Sequence, residues 1–326
     1  MNKTLKGMAI GACAASLVVM AGGAQAQARY PDKPVKVIVG YAPGGLPDTV
    51  ARLTAQKLSE RWGQQVVVEN RASANGILAA ELIAKSPADG YSLLVTDSST
   101  TAVNPFIYQK LPYSPNDLLP VSLLAKAPLF LAVHNSVPVN TFGELVNMAR
   151  AQPGKMTYGS SGIGSTHHLS MEYIKSVLGL DIVHVPFKGT GQSVPALISG
   201  QVPMVFSAYP SLASHAKAGT VKLIAANSAR RSALAPNVPT VAESGVAGFD
   251  FAPPIGILAP VAIAKDLAAR ISADAAAAVR VQEVTEKMAA VGIEAVGGSP
   301  EEYAAQLKAD AERYARAIKA AGMKAE

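Results

Sequence analysis

Cysteine is almost absent from this chain: Cys13 is the only one in 326 residues. It falls in an N-terminal stretch that reads as removed on export, so the mature protein can form no disulfide, thiol nucleophile or thiolate metal site. Long apolar runs are equally scarce. Beyond the N-terminus nothing approaches the ~20 consecutive apolar residues of a membrane-spanning helix. Only 16% of residues are charged, and Lys and Arg form no cluster interleaved with aromatics, which excludes a nucleic-acid surface. Removing Lys3 and Lys6 leaves 27 basic residues against 23 acidic, a net charge of +4. The sign favours small anions as partners.

What is present begins with an export signal. Lys3 and Lys6 precede an apolar and small-residue run from Met8 to Met20, and "AGGAQAQA" offers cleavage after Ala26 or Ala28. Too little apolar sequence precedes Cys13 for a lipoprotein site. Residues 1–28 are therefore expected to be a signal peptide and the remainder a soluble periplasmic protein of about 298 residues, more naturally two domains than one.

From Val35 to about Ala259 short apolar runs alternate with helical patterns, the mark of βαβ units and a parallel sheet. "VKVIVGYA", "QQVVVEN" and "SLLVTD" read as strands; Val50, Leu53, Leu58 and Trp62 can share one helix face. "PFIYQKLPYSPNDLLP" reads as an irregular connection. After a helix capped by Thr141 the pattern restarts at "MTYGSS", followed by a helix with Leu169, Tyr173, Ile174 and Val177 on one side. Everything after Ala264 reads as alanine-rich helix, broken at Gly292 and at "GGSPEEY". Each half thus opens with a strand, a Gly-rich loop and a helix: "YAPGGLPD" in the first, "YGSSGIGSTHH" in the second. In open sheets such turns sit where ligands bind.

The second loop holds serine, glycine and histidine, and several chemistries can be tested against it. A nucleophile elbow needs G-x-S-x-G, but Ile163 stands where the last glycine belongs. A zinc site needs a third ligand besides His168 and Glu172. The dinucleotide fingerprint fails at His167, and "FKGTGQS" has no G-K-[ST]. An anion cradle asks only for the unpaired N–H groups and dipole of a helix N-terminus, with the hydroxyls of Ser160, Ser161, Ser165 and Thr166 as further donors. Asp48, at the start of the first helix, reads as a cap, or else as a negative charge that the ligand must answer with a donor.

"YPDKPVKVIVGYAPGG", "AKSPADGYSLLV", "NPFIYQKLPY", "YGSSGIGSTHHLSMEYIK", "VHVPFKGTG", "ALISGQVPMVF", "VPTVAESG" and the C-terminal "SPEEYAAQLKADAERYARAIKAAG" resemble, in order, the Bug family of extracytoplasmic solute-binding receptors of tripartite tricarboxylate transporters. The resemblance spans nearly the whole mature chain. It implies an α/β fold, the type II periplasmic-binding-protein flytrap, with two α/β lobes and a central ligand cleft. Lobe 1 would comprise 29–129 plus 250–326 and lobe 2 130–249. It implies no catalysis, cofactor or metal; the partners are a small organic anion and either membrane permease subunits or a sensor protein, with the receptor a monomer. The ligand would be gripped by Tyr41, Ala42, Pro43, Gly44, Gly45 and Asp48 from one loop, and by Ser160, Ser161, Gly162, Gly164, Ser165 and His168 from the other. Ser98, Thr100, Gly189, Thr190 and Ser207 would line the rest.

Three departures stand out: Leu46-Pro47 replaces a small pair, "RASANG" replaces a Pro/Gly-rich turn, and Ser207-Ala208 stands where an Asp is frequent. The last removes a wall carboxylate and shifts the expectation from amino acids to plain mono- or dicarboxylates, aromatic acids included. A ligand-sensing subunit for a signalling partner, and a secreted hydrolase using Ser161 or Ser165 with a histidine, are the competing functions.

Overall fold

The computed structural model describes residues 30–323 other than residue 188. The expected signal peptide, 1–28, lies outside the described residues. The first half runs β1 (Val35–Val39), α1 (Leu46–Trp62), β2 (Val66–Asn70), α2 (Ile77–Ala84), β3 (Ser92–Asp97), a short α3 (Asn104–Ile107) and β4 (Leu118–Lys126). The chain then passes to β5 (Leu129–His134), α4 (Phe142–Ala151), β6 (Thr157–Ser160), α5 (Thr166–Leu178), β7 (Val183–Pro186), α6 (Thr190–Ile198), β8 (Met204–Ala208), α7 (Tyr209–Lys217) and β9 (Val221–Ala226). It returns through β10 (Pro254–Pro260), α8 (Lys265–Val279), α9 (Gln282–Ala290), β11 (Glu294–Gly298) and α10 (Pro300–Ala320).

Two sheets result, in the orders β11-β4-β10-β3-β1-β2 and β7-β6-β8-β5-β9. The expected parallel sheet is correct only in part. β1 pairs in parallel with β2 and β3, and β6 with β7 and β8, but β10 runs antiparallel to β3 and β4, and β5 antiparallel to β8 and β9. The antiparallel strands are those at which the chain changes sheets, a change of partner that apolar patterning cannot signal. The expected all-helical C-terminus is also corrected: "EAVGG" forms β11 on the edge of the first sheet. Val177 is half exposed rather than part of the α5 core face.

Helix limits follow local chemistry. Pro47 stands in the first turn of α1, where a missing N–H costs nothing, and Gly63 ends it at φ 66° in the left-handed region. Ser299 and Glu302 form a reciprocal capping box behind Pro300 in α10. The two passages between sheets are stapled together. Asn227, fully buried, accepts the Leu129 N–H at 2.7 Å and donates to Phe251 O at 2.9 Å. Lys126 pairs with Asp250 at 3.0 Å and donates to Gln306 of α10. The end of α10 reaches the second sheet, where Tyr314, Ala317 and Ile318 enter its core beside Phe249 and Phe251.

Candidate functional site

The loops after β1, β3 and β6 converge on one cavity of about 580 Å³ between the two sheets. The first half supplies Tyr41, Leu46, Asn75, Asp97, Ser99 and Tyr108 to its wall, and the second supplies Ser161, Ile163, Gly164, Ser165, Thr166 and His167. Pro253 from the return passage and Met323 beyond α10 complete the rim. A second space of about 350 Å³ shares Tyr41, Leu46, Asp97 and Pro253 with it and continues into Ala42, Pro47, Ala127 and Ile255, an almost wholly apolar recess. No Lys or Arg is among the described residues lining either space.

The loop after β6 spends most of its polar groups on its own shape. Ser160 Oγ meets His184 Nε2 at 2.7 Å and accepts the Gly162 N–H; Ser165 Oγ donates to Gly162 O and accepts the His168 N–H as the α5 cap. The Gly164 N–H is taken by His168 Nδ1 at 3.1 Å, and Gly189 N–H by Ser161 O. Gly162 and Gly164, at φ 129° and 76°, hold conformations other residues rarely adopt. Three N–H groups, those of Ile163, Thr166 and His167, have no partner among the described residues, and all three residues line the cavity. They stand at the positive end of α5.

Of the expected site residues, the structure therefore brings Tyr41, Ala42, Gly45, Ser161, Gly164 and Ser165 to the two spaces. Pro43, Gly44, Ser160, Gly162, Gly189 and Thr190 shape or flank the loops without lining them. Asp48 turns away: it is 2% exposed, and burial, which alone would raise its pKa, is outweighed by hydrogen bonds from Arg52, Gly44 N–H and Asn70 that hold it low. Ser98 and Thr100 are buried, Thr100 Oγ1 against Thr96 Oγ1 at 2.8 Å, and it is Ser99 between them that faces the cavity. Ser207 lies fully buried in β8, its hydroxyl without a partner among the described residues. His168 sits beneath the loop in a stack with His184 (4.0 Å between ring centres), which in turn stacks on Tyr158 (4.9 Å). Tyr158 Oη and Lys175 both donate to the buried Glu172, locking β6 to α5.

His167 takes the place expected for His168. Its Nδ1 meets Ser161 Oγ at 2.8 Å, while its buried Nε2 has no partner among the described residues. Burial pushes its pKa down to about 4, so the ring is neutral at physiological pH. Helix phase carried the signal: at 100° per residue His167 lies roughly opposite the core residue Leu169, whereas His168 shares a face with Glu172. Asp97 went unanticipated, because an acid at a strand end reads as a turn former. It accepts the Tyr41 hydroxyl at 2.7 Å and the Ser99 N–H at 2.9 Å, and burial pushes its pKa up. Asp97 thus supplies the cavity wall with a carboxylate, at a place other than Ser207.

The two Ser–His contacts lack the third member a hydrolase requires: among the described residues no carboxylate hydrogen-bonds His167 or His184. No cluster of three or more His, Cys, Asp or Glu among them could hold a metal ion. The arrangement offers an anion backbone N–H donors at the start of α5.

Burial lowers the His184 pKa to about 4, with the charge of a protonated His168 acting in the same direction. The unfolded chain would take up a proton near the usual value of about 6.5, so His184 contributes stability above that pH and loses it progressively as pH falls toward 4. Asp97 and Asp310, whose pKa values burial raises, Asp310 to about 7, act in the opposite sense over the same range. His184→Gln isolates the histidine. Between pH 7 and pH 5 the wild type should lose about 1 kcal/mol more than the variant, after allowance for partial solvent exposure. Parallel denaturation curves at the two pH values would show that His184 is not held neutral by the fold.

Two α/β halves, joined by stapled passages and closing on a cavity walled by a helix N-terminus, define a two-lobed solute-binding receptor. The chain belongs to the tripartite tricarboxylate transporter family receptors, whose family profile matches residues 50–323. It is 32% identical over 297 residues to Protein BugT of Bordetella pertussis, covering 90% of this chain and 91% of that one. Among solved structures it is similar to R. palustris Rpa4515 with adipate (33% identity, TM-score 0.74, 91% of this chain and 100% of that one). It is also similar to MatC from Rhodopseudomonas palustris with bound malate (27%, 0.69, 89% and 100%). These are receptors and not enzymes, and no helix among the described residues is long and apolar enough to cross a membrane.

Proposed function

We propose that this receptor captures a small organic mono- or dicarboxylate, aromatic acids included, and delivers it to a tripartite tricarboxylate-type permease. Residues 1–28 act as the export signal; 29–129 with 250–326 form one lobe and 130–249 the other. The observation that carries the reading is the set of N–H groups at Ile163, Thr166 and His167 that have no partner among the described residues, at a helix N-terminus facing a cavity that no described Lys or Arg lines. A carboxylate placed there gains charge-assisted hydrogen bonds worth about 1.5–3 kcal/mol each. The apolar recess beside Tyr41 takes the hydrocarbon part. Relatives solved with adipate and with malate support the ligand class. Closure of the lobes removes water and strengthens the grip, so ligand shifts the population toward the closed form.

Thermal denaturation against a panel of aliphatic and aromatic acids tests this. A bound acid at about 100 times its dissociation constant adds about 2.7 kcal/mol, which should raise the melting temperature by several degrees. Methyl esters of the same acids should have no effect. A panel in which no acid shifts the transition, or in which esters do as well, would remove the carboxylate reading.

A further inference from the structure

The cavity has two unlike ends. At one, the N-terminus of α5 offers donors with no acceptor. At the other, the last residue of β3 offers an acceptor with no cation: Asp97 lines both the main cavity and the apolar recess and is within reach of no Lys or Arg among the described residues. Among the described residues only neutral donors approach it: the Tyr41 hydroxyl and the Ser99 N–H on Oδ1, and the Ser99 hydroxyl. An ionised carboxylate can only accept. When lobe closure excludes water, a second ligand carboxylate placed beside it would meet a like charge, and a hydrocarbon end would leave it dry and underbonded. A hydroxyl or an ammonium would complete its hydrogen bonding.

We propose that Asp97 is the specificity-determining residue of the cavity, selecting carboxylates that carry a hydroxyl or ammonium donor at the end away from the group held by α5. This rests on the carboxylate reading above and narrows it. Tyr41 is the positioning residue, since its hydroxyl fixes the Asp97 carboxylate from the adjacent strand end. The ligand is thus read by polarity along its length: acceptor toward Thr166 and His167, donor toward Asp97.

The test uses the full mature chain and isothermal titration with three sets of acids of matched carbon skeleton that differ only at the far end: propionate, 3-hydroxypropionate and 3-aminopropionate; butyrate, 4-hydroxybutyrate and 4-aminobutyrate; and 4-methylbenzoate, 4-(hydroxymethyl)benzoate and 4-(aminomethyl)benzoate. A site built to satisfy a buried polar group rejects an analogue lacking the matching group. In whichever set binds, the hydroxy or amino acid is expected to bind at least about ten-fold tighter than the unsubstituted parent. Asp97→Asn should abolish the ammonium advantage, and Asp97→Ala, which accepts nothing, the hydroxyl advantage as well, with melting curves confirming that both variants fold. The proposal is overturned if the unsubstituted acids bind the wild type as tightly as their partners, or if the preference survives in both variants. Binding of unsubstituted acids without preference leaves the carboxylate reading standing and this inference fallen; no binding by any member of the panel removes both.

Discussion

Thr166→Pro should weaken carboxylate binding by roughly 10–100-fold, the loss of one charge-assisted hydrogen bond, while leaving the protein folded. Thr166 is the first residue of α5, a position where proline suits the helix; beyond the hydroxyl that bonds Tyr314, which Thr166→Ala removes as well, it deletes an N–H that has no partner among the described residues. The preceding Ser165 is already extended (φ −66°, ψ 156°), the conformation that proline demands of its neighbour. Melting temperature in the absence of ligand should therefore change little. Thr166→Ala, which removes the hydroxyl but keeps the N–H, should retain most of the affinity. Equal losses in the two variants, measured by titration calorimetry, would shift the grip from the backbone to the side chain; no loss in Thr166→Pro would remove α5 from the binding site.

The largest effect on stability should come from Gly256→Ala. A Cβ at this position in β10 would lie 2.5 Å from Ser122 O of the neighbouring strand and 2.5 Å from the ring of Tyr303, which is fully buried. Neither a strand carbonyl nor a buried ring held by α10 can retreat without disturbing the sheet. Overpacking of this kind costs about 3 kcal/mol, the upper end of the usual range, or roughly 6–12 °C in melting temperature for a chain of this size. Gly143→Ala is the matched control. Gly143 is exposed in α4, a Cβ there meets nothing within 4 Å, and alanine should stabilise by about 0.5–1 kcal/mol. A thermal melt in which both substitutions behave alike would mean that β10 does not pack against α10 as described.

The alternation of strands and helices, the cap at Thr141 and the Gly-rich turn in each half were legible in the sequence because each is a local property of side-chain period and backbone freedom. Strand direction was not. Leu129 to His134 is apolar whether it pairs in parallel or antiparallel, and only the path of the chain between sheets decides. "EAVGG" concealed β11 for a similar reason: two glycines weaken a strand signal, yet here Gly298 accepts Ser122 Oγ and sits against Leu123 where a larger residue would not fit. In the site, the loop after β6 was readable as an anion cradle from its glycines and hydroxyls. Which groups remained free was not, because Ser160, Gly164 and Ser165 are used up by contacts with His184, His168 and Gly162 that depend on the folded loop. Asp97 and Asp48 show the limit most plainly. Both are acids beside a ligand loop, and only the position of Arg52 and Asn70 tells which is neutralised and which faces the cavity.

The central claim is that a carboxylate is held by the unpaired N–H groups of α5 between the two halves of the molecule. A crystal structure of the complex with the tightest-binding acid of the panel tests it most directly. The account predicts a carboxylate oxygen within about 3 Å of Thr166 N and His167 N, with the far end of the ligand toward Asp97. A carboxylate bound elsewhere, or at Asp97 with the α5 N–H groups facing only water, would contradict it.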